Sequence, residues 1–331
     1  MSEKQTVLGV YFGDLAGIGP EISVKTLAKK ADEFIPLVVE DKEIVLDSVK
    51  KYAPELEKKL IDYSIGDALE SGNIYVLSVP VKTQIQPGVV SRESGEHSFD
   101  TFRTTLQLSK DGIIEGVLMA PITKQAMALA EPGFYGEIKL FNDFFELTDS
   151  AADVSRKDDL FRASVTGHIP FRTIVDNISI EGIVKTGSRL IDTMARFGFK
   201  DAPIAVAAIN PHASENGLFG DEEEKIIEPA IVELRKKYPN TKIIGPSPAD
   251  TVFIKAIKGE VRGVVFHAHD QGNTPMKTWG FDGGVYLYVN TPVPVISPNH
   301  GSALDIGGKG LADSHNLEIA VDTILQYIRA K

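Results

Sequence analysis

Four of the seven histidines in this 331-residue chain stand where a run of strand-forming residues gives way to a polar loop. They are His168 in RASVTGHIP, His212 in IAVAAINPHASE, and His267 and His269 in GVVFHAHDQG. Neutral imidazole is the commonest protein ligand for a divalent metal. In an open α/β sheet, ligands bind beyond the carboxyl ends of the strands, which is where these side chains emerge. A single strand-end histidine can simply cap a loop. Three such placements, with Asp270 beside the last, point instead to a metal site assembled from distant segments. Two glycine-rich loops suggest a second chemistry. GDLAGIGPE (residues 13–21) permits a tight turn and close backbone approach, and the helix N-terminus after it favours an anion. It is not GxGxxG, and no acid ends a second strand at the required spacing, so an ordinary Rossmann site is not indicated. NHGSALDIGGKGLAD (residues 299–313) places an imidazole, small residues and an acid where a flat base and a ribose could be held. Asp305 suits an unphosphorylated ribose and would repel a 2′-phosphate, which favours NAD over NADP.

The elements that must position these residues alternate along the chain. VLGVYF (residues 7–12) precedes a turn and the helix candidate PEISVKTLAKK, with Pro20 in the first helical turn. Further strand candidates are IPLVVE, NIYVLSV, GVLMAPI, RASVTG, PIAVAAI, TKIIGP, GVVFHA, VYLYVN and VPVISP. Helix candidates are SFDTFRTTLQLSKDG, EGIVKTGSRLIDTMARFGF, EEEKIIEPAIVELRKKY and NLEIAVDTILQYIRA. The acidic run at residues 221–224 reads as decoration of a helix N-terminus, complementing the macrodipole. Pro229 should end or kink that helix's first turn. Such alternation predicts α/β layers around a largely parallel sheet.

Composition narrows the class. A net charge of -11 argues against nucleic acid or an anionic membrane as the main partner. The absence of cysteine excludes disulfides and thiolate chemistry and fits a reducing, cytoplasmic setting. No stretch is long and apolar enough for a signal peptide or a membrane span. A small-molecule substrate is the expected partner.

HGSALDIGGKG resembles the adenosine-binding loop of the isopropylmalate and isocitrate dehydrogenase superfamily, with Leu304 where proline is usual. GDLAGIGPE resembles the GDGIGPE turn of those enzymes with one residue added. GDLAGIGPE, APITK, TGHIP, NPH, GPSPADT, HDQG and NHGSALDIGGKG together follow the order found in the 4-hydroxythreonine-4-phosphate dehydrogenase family, over essentially the whole chain. The resemblance implies two α/β/α lobes with a mostly parallel sheet and the active site in the cleft between them. We expect one lobe from residues 1–137 plus 280–331, carrying the nucleotide loop. The other, residues 138–279, is expected to carry the metal ligands and the dimer contacts. It implies metal ligation by His168, His212 and His269 in a site shared between the subunits of a homodimer, leaving His267 a structural role. It assigns catalytic roles to Asp250 and Asp270 and substrate contact to Lys277. NAD would bind at His300, Gly301, Ser302, Ala303 and Asp305.

The departures bear on the substrate. Where the family reads Gly-His-Thr-Glu, this chain has Gly136, Glu137, Ile138 and Lys139; a family asparagine falls at Tyr286 and a family arginine near Val295. These changes remove donors suited to a phosphate. Glu137 would repel a dianion unless it pairs with Lys139. INPHASENGLFG also resembles a branch of dihydrodiol dehydrogenases acting on unphosphorylated carboxylated diols. The expected activity is NAD-dependent oxidation of a secondary alcohol in a small hydroxy acid or carboxylated diol. A divalent ion (zinc, cobalt, nickel, manganese or magnesium) would assist, and a β-keto product could then decarboxylate. Asp250 or Asp270 would orient the histidines or take the proton, and Lys277 would hold a substrate oxygen. The alternatives are the vitamin B6 enzyme acting on 4-phosphohydroxy-L-threonine, a non-enzymatic paralogue binding a small acid, and an acyl-phosphate transferase.

Overall fold

The computed structural model of the chain describes residues 5–280 and 282–330. Its first part contains β1 (Val7–Tyr11), α1 (Gly19–Lys30), β2 (Ile35–Val39), α2 (Lys42–Tyr52), β3 (Leu60–Asp62), β4 (Ile74–Leu77) and α3 (Arg92–Lys110). β5 (Gly116–Met119), α4 (Lys124–Ala130) and α5 (Glu137–Phe145) come next. Then follow β6 (Ala152–Lys157), β7 (Leu160–Ser164), α6 (Ile180–Arg196), β8 (Ile204–Ala207), α7 (Glu228–Lys237) and β9 (Ile243–Ser247). α8 (Ala249–Ile257), β10 (Gly263–Phe266), α9 (His269–Trp279), β11 (Gly284–Val289), β12 (Val295–Pro298) and α10 (His315–Arg329) complete the order. The described residues pack into two compact units, 5–152 with 285–329, and 153–280 with 282–284 and Ala330. The divisions therefore fall at 152/153 and 284/285, where the sequence reading set 137/138 and 279/280. α5 accounts for the first difference, because Leu140 and Phe141 are buried in the core of unit 1.

In unit 1 the strands lie in the order β3-β4-β2-β1-β5-β12-β11, all parallel except β11 against β12. β1 and β2 are buried at every residue, as befits parallel strands covered on both faces. Tyr11 stacks on Phe102 with ring centroids 4.7 Å apart, and Phe141 meets both Phe102 and Tyr288 edge-on. Burying rings of this size supplies ~2–3 kcal/mol each. Pro20 lies in the first turn of α1, as expected, where its missing N–H costs nothing.

In unit 2 the order is β6-β7-β10-β8-β9, with β6 alone antiparallel to its neighbour. Phe253, Phe266, Val264, Val252 and Met276 form a core between the sheet, α8 and α9. Gly272 is required there: a Cβ would stand 2.4 Å from the Phe266 ring, so only glycine lets α9 lie against β10. The parallel register sets Val264 opposite both Arg162 of β7 and Ala205 of β8. All three strands therefore end at one edge of the sheet, and the histidine-bearing loops leave from that edge.

Candidate functional site

In unit 1 the two glycine-rich motifs form a single frame. The buried Glu21, from the end of GDLAGIGPE, accepts the N–H groups of Gly310 (3.0 Å) and Ala312 (2.8 Å) and pairs with Lys25 at 2.6 Å. Lys25 in turn donates to Ala312 O. Ile18 N–H donates to Ser302 O at 2.9 Å. Gly17 is pressed so closely against Ser302 that a Cβ would lie 2.5 Å from its carbonyl oxygen, and one on Gly307 would lie 2.4 Å from Ala16 O. Asp14 shapes the turn from within, accepting from Ala16 N–H and from the Ser94 hydroxyl. Beside it His97 Nε2 lies 2.5 Å from Glu40 Oε1. Burial raises the Glu40 carboxyl above its ordinary range despite that partner. Ser302 Oγ meets Thr123 Oγ1 at 2.6 Å, which joins the APITK loop to the same frame. His300 is half-buried, Gly301 and Asp305 are exposed, and Ala303 adopts φ 42°. A close-approach backbone with one open carboxylate fits a nucleotide whose ribose hydroxyls Asp305 could accept.

The residues at the altered family positions lie in the same unit. Glu137 opens α5, and its carboxylate pairs with Lys124 at 3.1 Å. Lys139 pairs with Asp143 at 2.5 Å, one turn along. The sequence reading offered Lys139 as the partner of Glu137; that pairing is corrected, because residues two apart on a helix point to different faces. Ile138 and Tyr286 are partly buried against the unit 1 core, and Tyr286 sits in β11 opposite Ser297. A cavity of about 380 Å³ is lined by Phe99, Phe134, Phe144 and the ion-paired Arg103 and Lys139.

In unit 2 the loops after β7 and β10 bring His168 and His269 together, with ring centroids 4.9 Å apart. His269 Nδ1 contacts Asp270 Oδ1 at 2.7 Å. A proton held there leaves Nε2 as a lone-pair donor, the usual preparation of a metal-binding imidazole. His212 follows β8 and lies beside Phe219. Among the described residues, no three His, Asp or Glu side chains are arranged to hold a metal ion. The two adjacent imidazoles, one of them oriented by a carboxylate, fit a borderline divalent cation as a partial donor set. Asp250, in the first turn of α8, and Lys277, in the last turn of α9, are both exposed. His267 is fully buried: its Nε2 donates to Ala207 O at 2.7 Å, and burial lowers its pKa to about 4.

The NPH loop has the most unusual backbone in the chain. His212, Ala213, Ser214, Glu215 and Asn216 all have φ between 47° and 61°. Left-handed backbone costs a non-glycine residue roughly 1–2 kcal/mol, so a run of five needs external support. Glu223 provides it. Buried at 2% exposure, it accepts Ile209 N–H, Asn210 N–H and the Asn210 side-chain amide, each at 2.8 Å. Glu222 accepts from the same amide at 2.6 Å. Burial alone would raise the Glu223 pKa, but these donors hold it below its ordinary value. The reading of residues 221–224 as helix decoration is thus corrected for two of the four. A π-helical turn, Glu223–Ile227, leads into α7 and Pro229. The signal available in sequence was the proximity of Asn210 to an acidic run; nothing local marked Glu223 as the buried member.

The fold is mixed α/β with mostly parallel strands, and two glycine-rich motifs frame one loop of unit 1. Residues 32–324 match the family described as pyridoxal phosphate biosynthetic protein PdxA, and the chain belongs to that family. It is 34% identical to the D-threonate 4-phosphate dehydrogenase of Salmonella typhimurium, over 98% of this chain and 99% of that one. It is 35% identical to the 4-hydroxythreonine-4-phosphate dehydrogenase of Beijerinckia indica, over 95% and 93%. The crystal structure of the 4-hydroxythreonine-4-phosphate dehydrogenase from Klebsiella pneumoniae superposes with a TM-score of 0.79 at 29% identity, covering 98% of this chain and 99% of that one. Two others share the fold alone: a terephthalate dihydrodiol dehydrogenase from Burkholderia xenovorans (TM-score 0.66, 22% identity, 97% and 98% covered) and isocitrate dehydrogenase from Methylococcus capsulatus (0.50, 14%, 98% and 86%). The chain is an oxidoreductase acting on a CH–OH donor. Among the described residues, no helix is long and apolar enough to cross a membrane.

Proposed function

We propose that this protein uses NAD and a divalent metal to oxidise the secondary alcohol of a small hydroxy acid or carboxylated diol. The observation that carries the substrate class is the Lys124–Glu137 pair: the cation of the APITK segment is already neutralised by a carboxylate. Lys139, the next cation along, is neutralised too. A phosphate dianion arriving there meets two acids, Glu137 and Asp143, whereas a hydroxyl or amide can accept or donate to either member of the pair.

His168, His212 and His269 would hold the metal, which would supply Lewis acidity, lowering the pKa of a chelated alcohol. NAD, bound along residues 300–305, would supply the hydride acceptor. Asp270, 2.7 Å from His269 Nδ1, would orient that ring for binding through Nε2. Asp250, exposed in the first turn of α8, is the candidate acceptor of the alcohol proton, and Lys277 the candidate to hold a substrate oxygen. Sharing of the site between two copies is supported by the count of imidazoles: one chain gathers two of the three. Decarboxylation would follow only where the product is a β-keto acid.

A second reading is favoured by the relatives, whose names specify 4-phosphates of threonate and hydroxythreonine. Here Lys124 would leave Glu137 for the phosphate. Parent enzyme assayed by NADH absorbance, with zinc, manganese or magnesium, against D-threonate, carboxylated diols and both 4-phosphates separates the two. Higher kcat/KM for an unphosphorylated acid is expected; a preference for either phosphate would overturn the first reading. Glu137→Gln should shift the ratio towards phosphorylated substrates by about tenfold or more, since one repelling charge is removed at close range.

A further inference from the structure

The strand exit that leads to His212 is tied at each residue by a side chain from elsewhere in unit 2. His267 donates to Ala207 O. Gln271 donates to Ala208 O at 2.7 Å while its Oε1 accepts His267 N–H at 2.8 Å. Glu223 then takes the N–H groups of Ile209 and Asn210. Immediately beyond, the left-handed run begins at His212 itself. Gly220 completes the frame, for a Cβ there would lie 2.6 Å from both the Asn210 amide nitrogen and Glu222 Oε2.

The structure assigns Glu223 as a positioning residue that sets the imidazole of His212, with Gln271 coupling the same strand exit to the loop that carries His269. The assignment rests on the reading of His212 as a metal ligand. Left-handed backbone in non-glycine residues persists only where the surroundings over-determine it. Only an ionised carboxylate can accept two backbone N–H groups on one oxygen and a side-chain amide on the other; a glutamine would turn an NH₂ against a donor. Asn210 is two residues from His212, so a rotation allowed there displaces the ring. His267, just past β10, and Gln271 of α9 tie the exit to the neighbouring strand and helix. A supporting group of this kind acts through the ligand and typically changes metal affinity by about 10–100-fold.

The test uses full-length Glu223→Gln beside the exposed control Glu224→Gln, His212→Ala and the parent. Cobalt binding is read by visible absorption, and amide hydrogen exchange over residues 209–217 is read without metal. Weaker cobalt binding by tenfold or more in Glu223→Gln, with faster exchange confined to the loop and Glu224→Gln like the parent, is the expected result. Parent-like exchange and cobalt affinity in Glu223→Gln overturn the assignment. Faster exchange with parent-like affinity, where His212→Ala does lose cobalt, also overturns it. Equal cobalt binding by the parent and His212→Ala instead overturns the ligand role of His212, and the exchange data then stand apart from that failure. If Glu223→Gln does not fold, Asn210→Ala, which removes the amide held by the second Glu223 oxygen, must bind cobalt more weakly than the parent, and parent-like binding overturns the assignment.

Discussion

Glu21 in unit 1 and Glu223 in unit 2 are both buried carboxylates accepting backbone N–H groups from a loop, yet the loops they hold are built oppositely. Of the three left-handed positions in the unit 1 loop, two are glycine, Gly308 at φ 72° and Gly310 at φ 76°, and the third is Ala303 at φ 42°. The unit 2 loop takes them at His212 through Asn216, side chains that resist that conformation. A nucleotide needs backbone brought close, which glycine permits. A metal needs a side chain presented from an unusual angle, and glycine has none to present. The first loop is cheap to shape and held for register; the second is strained and held for aim.

This contrast can be broken or sharpened by measurement. The largest effect is expected for Glu21→Ala, which strands two N–H donors and the Lys25 ammonium. About 4 kcal/mol should be lost in chemical denaturation, and a loss below 1 kcal/mol would mean that Glu21 is not the clamp. Acid should act through His267. Its folded pKa of about 4 lies below the unfolded 6.5, so the unfolded chain takes up a proton first. Stability is therefore lost as pH falls from 6.5 towards 4, by about 3 kcal/mol in all, and is independent of this group above 7. Glu223 adds to the same trend lower down, since its contribution is present above its unfolded value and is lost as pH falls through its lower folded one. His267→Gln should flatten the profile between pH 6.5 and 4; an unchanged slope would exclude His267 as its source. Gly308→Ala should cost ~1–2 kcal/mol, because a Cβ meets Pro87 at 3.2 Å in a backbone unfavourable to alanine. Smallest, and opposite in sign, Ala213→Gly should raise stability by ~1 kcal/mol by relieving its φ of 54°. If the two substitutions moved stability in the same direction, the distinction between the loops would fail.

Sequence pattern was informative wherever the physics is local. Each of the ten apolar strand runs forms a strand, because a buried parallel strand must be apolar along its whole length. β3 and β6 escaped notice: LID is three residues long, and ADVSRK is polar and only partly buried. α9 was hidden by Gly272 and Pro275, which normally interrupt helices, yet Gly272 is there for its contact with Phe266. The loop at residues 299–313 was legible as a close-approach turn because of its glycines. What joins it to GDLAGIGPE was not, since Glu21 reaches residues 289 and 291 positions away. Glu223 looked like its three acidic neighbours, and only burial separates it from them.

The chain order of unit 1 has a consequence for its synthesis. β12 lies between β5 and β11 in the sheet, so the strand row of this unit has a gap until residues beyond 295 exist. The loop at residues 299–313 and α10 come later still. The strands of unit 2 run without interruption between residues 153 and 266, so on a ribosome its sheet is complete while that of unit 1 still waits for its central partner. Closing that gap pairs Val295 with Val117, roughly 180 residues earlier, a slow, long-range step. A nascent chain tethered so that residues up to 290 have left the exit tunnel should therefore resist protease across unit 2 and be cut within unit 1.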